Sequence, residues 1–221
     1  MAKILCLETA TTNCSVALAF DGKLIAVKED NSKGYSHAEK LHLFIQDILK
    51  ENQLKVEDLD AIAVSKGPGS YTGLRIGVSA AKGLCFAADI PLISIPTLTA
   101  LAKQIQPEQG DLIISMLDAR RMEVYAAIFD ANWKQLDKTK AVVLTENSFK
   151  EYLDNYNKVT FIGNGVAKFS EICDASNTEF IIETLPSSKE MIALAEAKYK
   201  ISDIEDVAYF EPYYLKDFVA G

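Results

Sequence analysis

Three places in the sequence carry residues of the kinds that phosphate, metal or nucleophilic chemistry uses. Glu8 ends an apolar run and is followed by threonine hydroxyls at Thr9, Thr11 and Thr12. KGPGSYTGLRIG, residues 66–77, places four glycines between an apolar run and a stretch of helix-forming residues. Gly163-Asn164-Gly165 follows a third apolar run. A glycine-lined helix start can bind an anion or let another backbone approach closely, and the sequence leaves that choice open.

Known catalytic and cofactor-binding motifs do not fit these segments. Leu74 and Arg75 follow Gly73 where a P-loop needs a lysine and a hydroxyl residue, and the next apolar run, PLISI, lacks the acid of a dinucleotide site. Ser70 has no visible base to activate it. His37 and His42 are the chain's two histidines, and five residues place them about 140° apart around a helix. We therefore predict no metal site, and we expect both to be helix-start or surface histidines.

Composition limits the class of protein and its partners. The chain has 221 residues, is 49% hydrophobic and 24% charged, and carries a net charge of −8, which is ordinary for a globular protein. A protein that grips nucleic acid by itself usually has a basic stripe, so we do not expect direct nucleic-acid binding. Four cysteines without paired spacing indicate a reducing compartment. We expect a cytoplasmic protein without a membrane span or a signal peptide.

The order of predicted elements repeats along the chain. Each half reads β-β-β-α-β-α, and QPEQG at 106–110 is the best linker between them. We predict an N-terminal lobe at 1–105 and a C-terminal lobe at 106–221, with the last segment able to pack back on the first lobe. Two such halves describe an α/β fold of the two-lobed actin-like ATPase (ASKHA, ribonuclease H-like) class, with two βββαβα lobes.

Local signals place several elements within these halves. Apolar residues predict strands at 3–9 and 14–20, and Asp21-Gly22 predicts a hairpin turn after the second strand. In the second half, Thr145 is predicted to cap one helix, and Ser187 or Ser188 the last one.

Two helices in the first half carry more apolar or small surface than one packed face requires. In the helix predicted at 37–50, Leu43 and Phe44 fall outside the stripe formed by Ala38, Leu41, Ile45, Ile48 and Leu49. The helix at 71–88 contains three glycines, each costing about 1 kcal/mol against alanine. Either its own sheet or a helix of another subunit approaches closely there, and both interpretations stay open.

Several segments resemble the TsaB (YeaZ) family over the whole chain. They are LCLETATTNCSVAL, HAEKL, GPGSYTGLRIGVSAAKGL, LDARRMEVYAAIF and EPYYLK. The resemblance implies a partner of TsaD, the enzyme that attaches threonylcarbamoyl to adenosine beside the anticodon of tRNAs reading codons that start with A. TsaD-like chains carry a histidine pair after the fifth strand, whereas Ile95–Ala100 has none. The resemblance therefore indicates a non-catalytic subunit that scaffolds and activates TsaD, completed by the small ATPase TsaE.

The resemblance also implies which residues function. It predicts no catalytic residue and no cofactor of this chain alone, with ATP or ADP expected, if at all, only in the complex. Glu8, Gly163 and Gly165 stand where this superfamily contacts nucleotide, and we interpret them as inherited turns. tRNA is expected to be met through the complex only, and without TsaD the chain is expected to form a homodimer. The predicted partner interface comprises Leu41, Phe44, Ile45, Ile48, Tyr71, Thr72, Gly73, Arg75, Ile76, Gly77, Ala80 and Leu84.

The alternative to a scaffold is an enzyme. The chain could be a stand-alone ATP-dependent transferase, or a protease acting on its partner. Magnesium-dependent ATP binding by the isolated chain would support the transferase. Proteolysis abolished by substitution of Ser70 or Glu8 would support the protease.

Overall fold

The computed structural model describes residues 2–32 and 37–216. Its contacts divide the chain into two compact units, of which the first contains residues up to 100 together with those from 186 onward, and the second contains 101–185. The predicted boundary at 105/106 lies a few residues further along the chain, and the returning segment begins at Pro186. None of the helices within the described ranges is long and apolar enough to cross a membrane.

The first unit is built on a five-stranded mixed sheet in the order β3-β2-β1-β4-β5. β1 lies at its centre, antiparallel to β2 and parallel to β4. The predicted Asp21-Gly22 hairpin turn joins β2 to β3 with positive φ at both residues. The strands are β1 (Lys3–Glu8), β2 (Cys14–Phe20), β3 (Lys23–Asp30), β4 (Ala61–Gly67) and β5 (Leu92–Pro96).

Helices cover both faces of this sheet. α1 (His37–Glu51) and α2 (Tyr71–Ala88) pack their apolar residues on one face, and α6 (Ile192–Lys200) covers the other. His37 takes a buried position at the start of α1, whereas Ala38, predicted to be in the apolar stripe, is exposed. The remaining elements of this part of the chain are α3 (Thr97–Ala102) and two 3₁₀ turns, Val56–Asp58 and Ser188–Met191.

The second unit repeats the topology of the first. Its sheet has the order β10-β9-β6-β7-β8, with β6 antiparallel to β7 and parallel to β9. A cluster of phenylalanines fills the core between sheet and helices, with ring centroids of Phe161 and Phe169 5.0 Å apart. Its elements are β6 (Leu112–Asp118), β7 (Glu123–Asp130), β8 (Lys140–Val143), α4 (Lys150–Asn155), β9 (Val159–Gly163), α5 (Val166–Ser170) and β10 (Thr178–Ile182).

Two predicted helix caps are wrong. Thr145 does not cap α4, because the chain makes a further turn and Phe149 precedes the helix with a φ of 61°. Neither Ser187 nor Ser188 caps α6 directly, since a 3₁₀ turn comes between. The backbone N–H of Ser188 instead donates to the Ser15 hydroxyl at 2.8 Å, which ties the returning segment to β2.

Candidate functional site

The glycine segment forms the passage from β4 to α2. Gly67 ends the strand with a φ of 111°, a conformation that favours glycine. Ser70 caps α2 as its residue type predicts, because its hydroxyl accepts from the Gly73 N–H at 3.3 Å. The Ser70 N–H in turn donates to the Ala10 carbonyl at 2.6 Å. The helix start is thus joined to the loop that follows β1.

That loop accounts for three of the glycines. A Cβ on Gly69 would lie 2.4 Å from the Ala10 carbonyl oxygen, and one on Gly73 would lie 2.1 Å from the Thr9 carbonyl oxygen. A Cβ on Gly77 would lie 2.2 Å from Thr9 Oγ1, and this hydroxyl donates to the Gly73 carbonyl at 2.8 Å. The sequence allowed two interpretations of this helix start, anion binding or close approach of another backbone. The structure contains the second, because the chain's own loop after β1 lies against the glycines.

Glu8 lies beneath this junction and is fully buried. Its Oε1 accepts from the Ala10 N–H at 2.6 Å and from the Ser65 hydroxyl at 2.8 Å, and its Oε2 has no hydrogen-bond partner among the described residues. Burial raises the pKa of Glu8 to about 7, although the hydrogen bonds that the carboxyl accepts oppose the shift. The packing at the end of β1 therefore favours the neutral form of this side chain.

The second unit repeats this packing at the corresponding place. A Cβ on Gly163 would lie 2.0 Å from the Met116 carbonyl oxygen, and one on Gly165 would lie 2.9 Å from Val124 Cγ1. Asn164 Oδ1 accepts from the Asp118 N–H at 3.0 Å, which closes the turn against the end of β6. Close packing within the unit thus explains both glycines, which the resemblance placed where the superfamily contacts nucleotide and which we interpreted as inherited turns.

The two histidines lie in different environments. His37 is buried with its Nε2 2.6 Å from the Thr11 carbonyl oxygen, and burial lowers its pKa; His42 is exposed. His37 is a helix-start residue as predicted, but it is not on the surface. Within residues 2–32 and 37–216, His, Cys, Asp and Glu nowhere gather in a group of three or more that could hold a metal ion.

Burial divides the predicted partner interface. Part of it belongs to the core of the first unit and is unavailable to another protein, because these side chains and glycines pack on the sheet or on Thr9. Thr72 and Arg75 are exposed, and Phe44, Tyr71, Ile76 and Leu84 are half-buried. The buried positions are Leu41, Ile45, Ile48, Gly73, Gly77 and Ala80.

Exposed residues that the sequence did not assign complete the outer surface of α1 and α2. Leu43 is 55% exposed and Phe86 is 84% exposed. A Cβ on Gly83 would meet no atom within 4 Å, so the third glycine of α2 borders open space. The sequence singled out Leu43 as lying outside the apolar stripe of its helix, although the predicted interface did not include it. Phe86 could not be singled out in this way, since a phenylalanine three residues beyond a glycine reads equally well as core.

Arg75 has a role within the chain. Its guanidinium lies 4.0 Å from the centre of the Tyr71 ring, and its Nε donates to the Tyr214 hydroxyl at 3.3 Å. The rings of Tyr71 and Tyr214 are 4.8 Å apart. Arg75 therefore holds residues near the C-terminus against the first turn of α2.

Comparison with known proteins identifies the family. The family model for TsaD, described as tRNA N6-adenosine threonylcarbamoyltransferase, matches residues 32–220. "tRNA threonylcarbamoyladenosine biosynthesis protein TsaB" of Haemophilus influenzae is 31% identical over 98% of this chain and 94% of its own length. The protein of the same name from Escherichia coli is 29% identical over 99% and 96%. The chain belongs to the TsaB (YeaZ) family.

The solved structures agree with this assignment. YeaZ from Pseudomonas aeruginosa superposes with a TM-score of 0.84 at 26% identity, covering 97% of this chain and 100% of that one. The TsaB-family resemblance and the predicted α/β fold class of the actin-like ATPases are thereby confirmed. In this TsaB-family chain, the glycines of both segments pack closely on other elements of the same unit: on the loop after β1 in the first unit, and on β6 and β7 in the second.

Proposed function

We propose that this protein is a non-catalytic subunit in the formation of threonylcarbamoyladenosine in tRNA, and that it binds and activates a TsaD-like catalytic subunit. Similarity to proteins of that pathway over nearly the whole chain carries the proposal. A TsaE-like small ATPase completes the assembly, and tRNA is met through the complex. We place the protein in the cytoplasm, where tRNA is available for modification.

The packing of the loops supports a non-catalytic role. Thr9 and Ala10 fill the space beside Gly69, Gly73 and Gly77, where a phosphate would have to approach the backbone. Glu8 is enclosed by its own hydrogen bonds, and burial favours its neutral form. The Ser70 hydroxyl caps α2 by accepting from the Gly73 N–H. This arrangement gives no support to the alternative in which Ser70 is the nucleophile of a protease.

The outer surface of α1 and α2 supports the partner role. Leu43 and Phe86 expose large apolar side chains there, and Gly83 leaves room for a helix to approach closely. Exposed large apolar side chains beside an open glycine are features by which the surface of a helix can pack closely on a partner. When the catalytic subunit is absent, we expect the same surface to pair with itself as a two-fold dimer.

A bulky charge at Gly83 is expected to abolish binding of the catalytic subunit. Gly83→Arg leaves the free chain folded, because no atom lies within 4 Å of the new Cβ, but it places a guanidinium in the proposed interface. Co-purification with the TsaD-like protein of the same organism, and threonylcarbamoyladenosine formation in tRNA, should both fall to background. Gly77→Arg is a poor probe, because it would drive a side chain into Thr9.

Ala197→Arg on the exposed side of α6 is the matched control and should bind like the wild type. Loss of binding with persistent modification activity would contradict the scaffold role. Failure of the wild type to bind would contradict the partner, and the enzyme alternative would then take precedence.

A further inference from the structure

Residues 205–214, here called the C-terminal strap, are fixed to the first unit at both ends. At one end the Glu205 N–H donates to the Leu92 carbonyl on β5 at 2.8 Å. At the other end the Tyr213 N–H donates to the carbonyl of Lys66, the first residue of the glycine segment, at 2.7 Å. Val207 and Phe210 pack into the core shared with α1 and α2. The strap is therefore part of the folded unit.

α2 holds the strap along its flank. Lys82 Nζ donates to the Phe210 carbonyl at 2.8 Å and to the Ala208 carbonyl at 3.1 Å. Several turns earlier, Arg75 and Tyr71 hold Tyr214. The strap thus runs beside α2 from Lys82 toward the N-terminal turn of the helix.

Two aromatic side chains stand out of this flank. Tyr209 and Phe86 are each 84% exposed, more than the other exposed large hydrophobic residues of the described ranges. Tyr209 lies between the two carbonyls that Lys82 holds, and Phe86 follows Lys82 by four residues, which puts it one turn further along the same side of the helix. Phe86 also follows Gly83 by three residues. The aromatic pair is therefore continuous with the open surface at Gly83.

The charged side chains of the strap are all acidic. Its sequence, EDVAYFEPYY, holds Glu205, Asp206 and Glu211 and no basic residue. Asp206 and Glu211 are exposed. Cations beside the strap include Lys82, whose ammonium group is engaged with strap carbonyls, and Arg75, which interacts with Glu211 and is held by the rings of Tyr71 and Tyr214. An exposed aromatic pair with a carboxylate rim complements a surface that offers an apolar pocket surrounded by lysines or arginines.

We propose that Tyr209 and Phe86 form a second anchor for the catalytic subunit, on the side of α2 opposite to α1, and that they enter an apolar pocket with a basic rim. The inference rests on the proposed function. Continuity with the Gly83 surface and the charge of the strap select this occupant. The strap and α1 then form two walls, between which a helix of the partner lies over Gly83.

The test measures affinity of the full chain for the TsaD-like subunit, by titration at low and at moderate salt. Phe86→Ser and Tyr209→Ser are each expected to weaken binding at least about tenfold, as for aromatic residues central to an interface. Glu211→Lys is expected to slow association and to reduce its dependence on salt. Ile201→Ser removes a 74%-exposed apolar side chain outside the strap and should bind like the wild type.

The outcomes separate this inference from the function on which it rests. If the wild type binds and activates the catalytic subunit but Phe86→Ser and Tyr209→Ser bind equally well, the strap anchor is wrong and the function stands. If these variants change only self-association of the chain, the occupant is a second copy, and the inference is overturned. If the wild type does not bind at all, the proposed function fails, and the anchor fails with it.

Discussion

Replacing Gly77 with alanine is expected to lower the free energy of unfolding by about 3 kcal/mol, although alanine is the better helix former. The new Cβ would lie 2.2 Å from Thr9 Oγ1, so either α2 or the loop after β1 must move. Neither can move freely, because Thr9 Oγ1 donates to the Gly73 carbonyl and the Ala10 carbonyl accepts from the Ser70 N–H. Thermal unfolding should show a fall in Tm of roughly 10 °C for a chain of this length.

A double-mutant cycle identifies the contact responsible. Thr9→Ala removes the clashing hydroxyl and loses one hydrogen bond, at about 1 kcal/mol. With that oxygen gone, the nearest Thr9 atom to the new Cβ is its own Cβ, at 3.4 Å. Thr9→Ala combined with Gly77→Ala should therefore recover most of the lost stability, with a coupling of about 3 kcal/mol, so that only the loss of the Thr9 hydrogen bond remains. Thr9→Ser keeps the hydroxyl and should give no rescue.

Gly83→Ala is the control within the same helix. Because its Cβ would meet nothing within 4 Å, the intrinsic preference of alanine should stabilise the chain by about 1 kcal/mol. Equal effects at Gly77 and Gly83 would contradict the packing explanation. The pair of results would also show that the two glycines differ in purpose: Gly77 serves the internal junction, and Gly83 borders open space.

Local signals in the sequence were sufficient for much of the fold. The Asp21-Gly22 turn and the continuous apolar runs placed β1 and β2 almost to the residue. α2 was predicted at 71–88 and occupies Tyr71–Ala88, because Ser70 caps it and Asp89 ends it in the left-handed conformation. The start of α4 was predicted wrongly, because Phe149 takes the left-handed conformation there. A phenylalanine does not indicate that conformation in a sequence as a glycine would.

The purpose of the site residues depended on contacts between distant parts of the chain. Thr9 and Gly73 are 64 residues apart, and the sequence showed only that something must approach the glycines closely. The segment from Pro186 onward returns to the first unit through hydrogen bonds with Asn13 and Ser15. No local sequence pattern predicts these two bonds. Leu41, Ile45 and Ile48 were assigned to an interface, but the sheet buries them. Amphipathic spacing does not tell which partner an apolar face meets.

Glu8 is expected to lower the free energy of unfolding of this protein as pH rises from about 4.5 to 7. Burial holds the pKa of Glu8 at about 7 in the folded chain, against 4.5 for the exposed group. The folded state therefore binds the proton more tightly than the unfolded state over this range, and linkage makes folding less favourable as the proton leaves. At 1.36 kcal/mol per pKa unit, the loss amounts to about 3 kcal/mol by pH 8.

Glu8→Gln is expected to remove that part of the pH dependence. The glutamine amide is neutral throughout, and its Oε1 can still accept from the Ala10 N–H and the Ser65 hydroxyl, which now bond to Glu8. Denaturant unfolding at several pH values between 4.5 and 8 gives the free energy of unfolding of the wild type and of the variant. Burial also shifts the pKa values of His37 and Glu190. Both proteins contain these two residues, so their contributions cancel when the two free energies are subtracted. The difference should grow in favour of the variant as pH rises.

Glu57→Gln makes the same chemical change at an exposed site and is the matched control. Parallel profiles for wild type and Glu8→Gln would show that Glu8 ionises in the folded chain as it does in water, and that the enclosure of its carboxyl is not what the packing indicates. A steeper decline in stability for the wild type would instead show that the enclosed Glu8 carboxyl keeps its proton in the folded chain at pH values where an exposed carboxyl has lost it.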